Sequence, residues 1–142
     1  MLNRYHHLLV PLNFSNSNKI ALETALDIAS SASAKVTLLH VIEPINISGD
    51  CEVQDFTEKL RSRADEKLLK QAQRFIKRDI TVACKNLVGN RVKEIIKFAG
   101  DNSVDLIVLN TRRMRDGQST KALASLSYQV TFLASCPVFL LK

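Results

Sequence analysis

Val92–Leu109, VKEIIKFAGDNSVDLIVL, contains the two periodicities on which the fold rests. Val92, Ile95, Ile96 and Ala99 recur at the 3.6-residue period of an amphipathic helix. Leu106–Leu109 follows as a short aliphatic run with no polar face, the pattern of a strand buried on both sides of a parallel sheet. Working outward, the same alternation repeats. His7–Leu12, Val36–Ile42, Ile80–Leu87 and Val138–Leu141 are further runs of strand length. Three more helical stripes lie between them: Ala21, Ala25, Ile28, Ala29 and Ala32; Phe56, Leu60, Ala64, Leu68, Ala72 and Phe75; and Leu123, Leu126, Val130 and Leu133. The order β-α-β-α-β-α-β-α-β predicts right-handed crossovers and a doubly wound α/β domain, its parallel sheet covered on both faces. Ser15 or Ser17 is placed to cap the first helix and Asn90 the third. Glu43–Cys51, with Pro44 and Gly49, reads as an exposed loop.

At 142 residues and 46% hydrophobic composition the chain suits one domain, 1–142, and is too short for two ordinary ones. No window approaches the roughly 18 consecutive apolar residues of a membrane span, and the start has too short an apolar run for a secretory signal, so a cytoplasmic protein with no membrane partner is expected. Cys51, Cys84 and Cys136 are odd in number and far apart, which argues against a disulfide framework or a zinc site and for reduced thiols. The net charge of +6 raises the question of an anionic partner. Arg61, Arg63, Lys67, Lys70, Arg74, Lys77 and Arg78 alternate with Glu58, Asp65 and Glu66, and the one aromatic residue among them, Phe75, belongs to the apolar stripe rather than to a base-stacking face. They read as a solvated face, and nucleic acid is not expected as a partner.

Ligands of open parallel sheets bind beyond the carboxyl ends of the strands, where the strand order reverses. Pro11-Leu12-Asn13-Phe14-Ser15 after the first strand and Asn110-Thr111-Arg112-Arg113 after the fourth are therefore the candidate walls of a cleft. LLVPLNFSNSNKIALETALDIA, VTLLHVIEP, VGNRVKEIIKFAGDNSVDLIVLNTR and SCPVFLL, in that order and spacing, cover essentially the whole chain. Together they resemble the universal stress protein family. The resemblance implies a Rossmann-like sheet of five parallel strands in the order 3-2-1-4-5 with four helices, and a dimer in which the last strands meet. Some members bind ATP, and the positions that correspond here are Pro11, Leu12, Asn13, Val41, Leu109, Asn110, Arg113, Ala124, Ser125 and Leu126. Binding members carry an Asp after the first strand and a G-x2-G-x9-G-[ST] loop after the fourth. This chain departs from both. Asn13 replaces the Asp, and counting forward from the fourth strand puts Asn110 and Arg113 at the first two glycine positions. Counting back from Cys136 gives Thr111, Met114 and Ala124, followed by Ser125; one inserted residue between Met114 and Lys121 reconciles the two, with Asn110, Arg113 and Ala124 the better matches.

Glycines in a phosphate loop let backbone N–H groups approach the oxygens and adopt positive φ. Asn110 tolerates that region and Ala124 adds only a methyl, but Arg113 puts a long side chain in the path. Ser125 retains a hydroxyl near the start of the last helix. Asn13 keeps an amide oxygen able to accept from a ribose hydroxyl but lacks the charge, a loss of about tenfold in binding. Tight ATP binding is not expected and no cofactor is required, although ATP or another adenine nucleotide is the ligand the resemblance allows. Against this stand Arg112, Arg113 and Arg115, whose guanidinium groups are suited to bidentate phosphate contacts in place of a backbone nest.

Catalytic signals are weak. His6, His7 and His40 lack metal-binding spacing and read as packing at strand edges, and neither a G-x-S-x-G elbow nor a G-x4-G-K-[ST] loop is present. Cys136, before Pro137, reads as buried and inert. Val138, Phe139, Leu140 and Leu141 form an apolar edge strand that needs cover, which pairing with a second copy about a twofold axis supplies. The expected function is a homodimeric stress-response module acting through protein contacts rather than an enzyme. A nucleotide-binding regulator with an arginine-containing loop stands second, and a weak ATPase third.

Overall fold

In the computed structural model, which describes residues 4–44, 51–111 and 125–142, nine elements alternate along the chain. They are β1 (His7–Pro11), α1 (Asn18–Ala32), β2 (Lys35–Ile42), α2 (Cys51–Ile76), β3 (Val82–Val88), α3 (Arg91–Asp101), β4 (Leu106–Asn110), α4 (Leu126–Leu133) and β5 (Val138–Leu141). The strands pair in parallel, as the alternating pattern predicts, in the order β3-β2-β1-β4-β5 that the family resemblance implies. Because successive strand residues point to opposite faces, the aliphatic runs feed two cores at once. Leu8, Val10, Val36, Leu38, Leu106 and Val108 pack under α1 and α2, while Leu9, Leu39, Val41, Ile107 and Leu109 pack under α3 and α4. Each such side chain contributes about 1.5–3 kcal/mol when fully buried, which is why these runs carry no polar face. The strand order reverses between β1 and β4, so the carboxyl ends at Pro11 and Asn110 diverge and leave an opening.

Two helical stripes bury differently from the pattern. Along α2 burial begins at Ala64 and continues through Leu68, Ala72 and Phe75, whereas Phe56 is 50% exposed. The helix has 26 residues, about 39 Å at 1.5 Å per residue, and its first turns run past the strands it covers. On α4 the inward residues are Ser127 and Val130, and Leu133 is 62% exposed. The Ser127 hydroxyl donates to Thr111 Oγ1 at 3.1 Å on the inward side of the helix. Leu123 lies outside the described residues, as does most of the loop expected at Glu43–Cys51.

The caps separate in the same way. Asn90 accepts from Lys93 N–H at 3.0 Å and caps α3 as expected. Ser17 occupies the N-cap position of α1 but makes no side-chain cap bond; its hydroxyl pairs instead with that of Ser15 at 2.6 Å. His7 is buried at the foot of β1, where Nδ1 donates to the Asn102 carbonyl at 3.0 Å. Its Nε2 is thereby left to accept from the Thr37 hydroxyl at 2.7 Å. Asp105 receives the N–H groups of His6 and His7 at 2.8 and 3.1 Å, tying the start of β1 to the start of β4.

Candidate functional site

The chain leaves β1 through a turn built by asparagines. Asn13 Oδ1 accepts from Ser15 N–H at 3.0 Å, and Asn13 N–H donates to Asn18 Oδ1 at 3.0 Å. The amide of Asn18, buried at the first turn of α1, then donates to Asn110 Oδ1 at 2.8 Å. One side chain thus spans the two walls that the strand reversal sets apart. Between Asn13 and Ser15, Phe14 adopts φ 63°, a left-handed conformation costing about 1–2 kcal/mol for a residue with a β-carbon. Its ring lies 4.4 Å from that of His40, and the Lys67 ammonium sits 5.3 Å from the Phe14 ring centre.

His40 projects from β2 toward this turn. Its Nδ1 lies 2.7 Å from the Leu12 carbonyl, an acceptor only, so Nδ1 carries the proton and Nε2 is an acceptor in the neutral ring. Burial holds its pKa below the ordinary imidazole range against the pull of that carbonyl, and Arg91 and Lys67 lower it further. Beside it a cleft of about 140 Å³ opens between the ends of β1 and β4, with Leu39, Val41, Ile95 and Leu109 as its apolar lining and Asn13, Asn18, His40, Arg91 and Asn110 as its polar groups.

Pro11, Leu12, Asn13, Val41, Leu109, Asn110 and Leu126, all proposed from the sequence, meet around this cleft. Ser125 stands next to it as the N-cap of α4, its hydroxyl 3.3 Å from that of Ser127. Arg113 and Ala124 lie outside the described residues. Sequence reasoning missed Asn18, His40, Arg91 and Ile95; only Asn18, a polar residue opening an apolar helical stripe, left a signal. The amide oxygen of Asn13 holds Ser15 N–H with one of its two lone pairs. The thiols of Cys84 and Cys136 are both raised by burial, which disfavours the nucleophilic thiolate. Among the described residues no group of His, Cys, Asp and Glu is placed to hold a metal, and no helix is long and apolar enough to cross a membrane.

Comparison with known proteins assigns this architecture. The model of the universal stress protein family matches residues 4–142. The chain belongs to the universal stress protein family. The universal stress protein YxiE of Bacillus subtilis (strain 168) is 24% identical over 97% of this chain and 99% of its own. The solved structure of MJ0577 of Methanocaldococcus jannaschii superposes with a TM-score of 0.83 at 27% identity, over 97% of this chain and 96% of that one. A universal stress protein of Archaeoglobus fulgidus, solved in complex with dAMP, shares the fold at a TM-score of 0.70 and 19% identity, over 97% and 98% of the two chains. Within this universal stress protein fold, the Asn13 side chain serves the turn that leaves β1.

Proposed function

We propose that this universal stress protein is a cytoplasmic homodimeric module, a single domain over 1–142, that acts in the stress response through protein contacts and does not hold ATP tightly. The observation that carries the reading is the use of the site's own polar groups: Asn13 Oδ1 is held by Ser15 N–H and Asn110 Oδ1 by the Asn18 amide. A ribose hydroxyl entering there meets only neutral amide acceptors that already hold one N–H each, so its hydrogen bonds contribute about 1 kcal/mol rather than the roughly 1.5–3 kcal/mol of a charge-assisted bond. A cleft of about 140 Å³ is also small beside the roughly 300–1,000 Å³ of ordinary ligand pockets. In the sequence, Arg113 stands where the resemblance expects a glycine of the phosphate loop. Support for the dimer comes from β5, which pairs with β4 on one edge, and from Phe139, Phe132 and Leu133, which are 46%, 76% and 62% exposed at that end. No catalytic step is proposed.

One observation favours a second reading. The floor of Leu39, Val41, Ile95 and Leu109 suits a flat base, and the A. fulgidus relative was solved with dAMP. On that reading the protein is an adenine-nucleotide regulator whose Arg112, Arg113 and Arg115 replace the glycine loop as phosphate partners. Calorimetric titration of the nucleotide-free protein and of Arg113→Gly with Mg-ATP decides between them. The first reading expects no binding by wild type up to about 1 mM and a gain in the variant. Micromolar binding by wild type that Arg113→Gly weakens refutes it and establishes the second.

A further inference from the structure

The seam between α1 and the α2 side of the fold changes character along its length. Below, Arg78 reaches Asp27 of α1 at 3.7 Å, so a cation meets a carboxylate across the seam. Toward the β1–α1 turn the seam opens into a cavity of about 390 Å³, lined by Lys67, Lys70, Gln71 and Arg74 on one side and by Asn16, Asn18 and Lys19 on the other. The spacing i, i+3, i+7 puts Lys67, Lys70 and Arg74 on one flank of α2. Glu58, Asp65 and Glu66 precede these cations on α2, and none lines the cavity. Among the described residues no ion pair neutralises Lys67, Lys70 or Arg74, and Lys19 has only the exposed Glu23 at 4.0 Å. Cations that converge on a concavity without a counter-charge repel one another and raise the local concentration of anions.

The floor adds a second requirement. Leu12 and Leu22 are buried beneath the cations, and the strained turn at Phe14 presents an aromatic ring to the same space. A bare inorganic anion leaves that surface unused. The Asn13–Asn18 turn lies between this cavity and the β1/β4 cleft, and among the described residues only Leu12 and Asn18 are common to both. We propose that the α1/α2 cavity is a second ligand site, distinct from the β1/β4 cleft, for a small organic phosphate. Its apolar body rests on Leu12, Phe14 and Leu22, and its phosphate is held by Lys67, Lys70 and Arg74.

The test is a titration of the ¹⁵N-labelled full chain with 1-naphthyl phosphate, and in parallel with inorganic tripolyphosphate, followed by amide chemical shifts. Saturable shifts at Phe14, Ser15, Lys67, Gln71 and Arg74 are expected, with tripolyphosphate the weaker ligand. The combined Lys70→Ala, Arg74→Ala variant loses about tenfold or more in affinity, the equivalent of one charge-assisted hydrogen bond. Lys77→Ala, on the same stretch but outside the cavity, changes affinity less than about twofold. Several results overturn the proposal: shifts gathered at Val41, Ile95 and Leu109; unsaturated shifts spread over Arg61, Arg63 and Lys77; equal loss in Lys77→Ala; or no shift by about 5 mM ligand.

Discussion

Asn18 supports the candidate site, and its removal has a calculable cost. It is 6% exposed, accepts from Asn13 N–H at 3.0 Å and donates to Asn110 Oδ1 at 2.8 Å. Asn18→Ala deletes both bonds and leaves a part-buried donor and acceptor unpaired, a cost of about 2–3 kcal/mol when each bond is worth about 1 kcal/mol and the orphaned groups lose some solvation. With a urea m-value of about 2 kcal/mol/M the unfolding midpoint falls by about 1–1.5 M. Asn110→Ala removes only the second bond and costs about 1 kcal/mol. Since that bond belongs to both residues, the double variant is less destabilised than the sum of the two, by about 1 kcal/mol. Asn18→Asp keeps the acceptor for Asn13 N–H, and Asn110 can rotate its amide to donate, so its cost lies nearer 1 kcal/mol. Urea unfolding of wild type and the four variants measures all of this. If Asn18→Ala falls within about 0.5 kcal/mol of wild type, or adds to Asn110→Ala without coupling, the span between the two walls is not energetically real.

The remaining predictions concern pH and assembly. Burial lowers the pKa of His7 below its ordinary 6.5, against the favourable Asn102 carbonyl, and Lys35 lowers it further. The unfolded chain therefore takes up a proton at a pH where the folded imidazole does not, and stability present above 6.5 is lost as the pH falls toward the folded value. His40 contributes with the same sign. Urea midpoints should drop between about pH 7.5 and about pH 5, and more steeply in wild type than in His7→Gln; equal slopes remove His7 as the cause. For assembly, Phe139→Asp places like charges about the proposed twofold axis, so sedimentation equilibrium should give one chain of 15.9 kDa where wild type gives twice that. A wild type that sediments as a single chain ends the dimer proposal.

The fold was legible wherever one physical rule acted alone. β2 and β4 fall within a residue of their predicted bounds because strands covered on both faces carry mostly apolar side chains, and the pattern ends where burial ends; β5 matches its bounds as a partly exposed edge strand. β3 is an edge strand with alternating burial, and Ile80, predicted as its first residue, is buried two positions before the strand begins at Val82. The stripe through Phe56 shows the limit of helical period: it marks which face could be buried, not how far the neighbouring strands extend beneath it.

The site divides along the same line. Its walls follow from topology, since a reversal in strand order leaves a gap wherever the two strand ends diverge, and so Pro11–Asn13, Leu109 and Asn110 could be named from the chain alone. Its internal hydrogen bonding could not. Asn18 meets Asn110 across 92 residues and His40 meets Leu12 across 28, and no period or spacing encodes a polar contact of that kind. Asn13 is where this matters most for function. The Asn13 amide oxygen has two lone pairs, of which the turn at Ser15 N–H uses one, so a ligand hydroxyl meets there a neutral acceptor already polarised toward the turn. On the proposed reading the cost of an asparagine at this position is therefore chiefly the missing charge, about tenfold in binding.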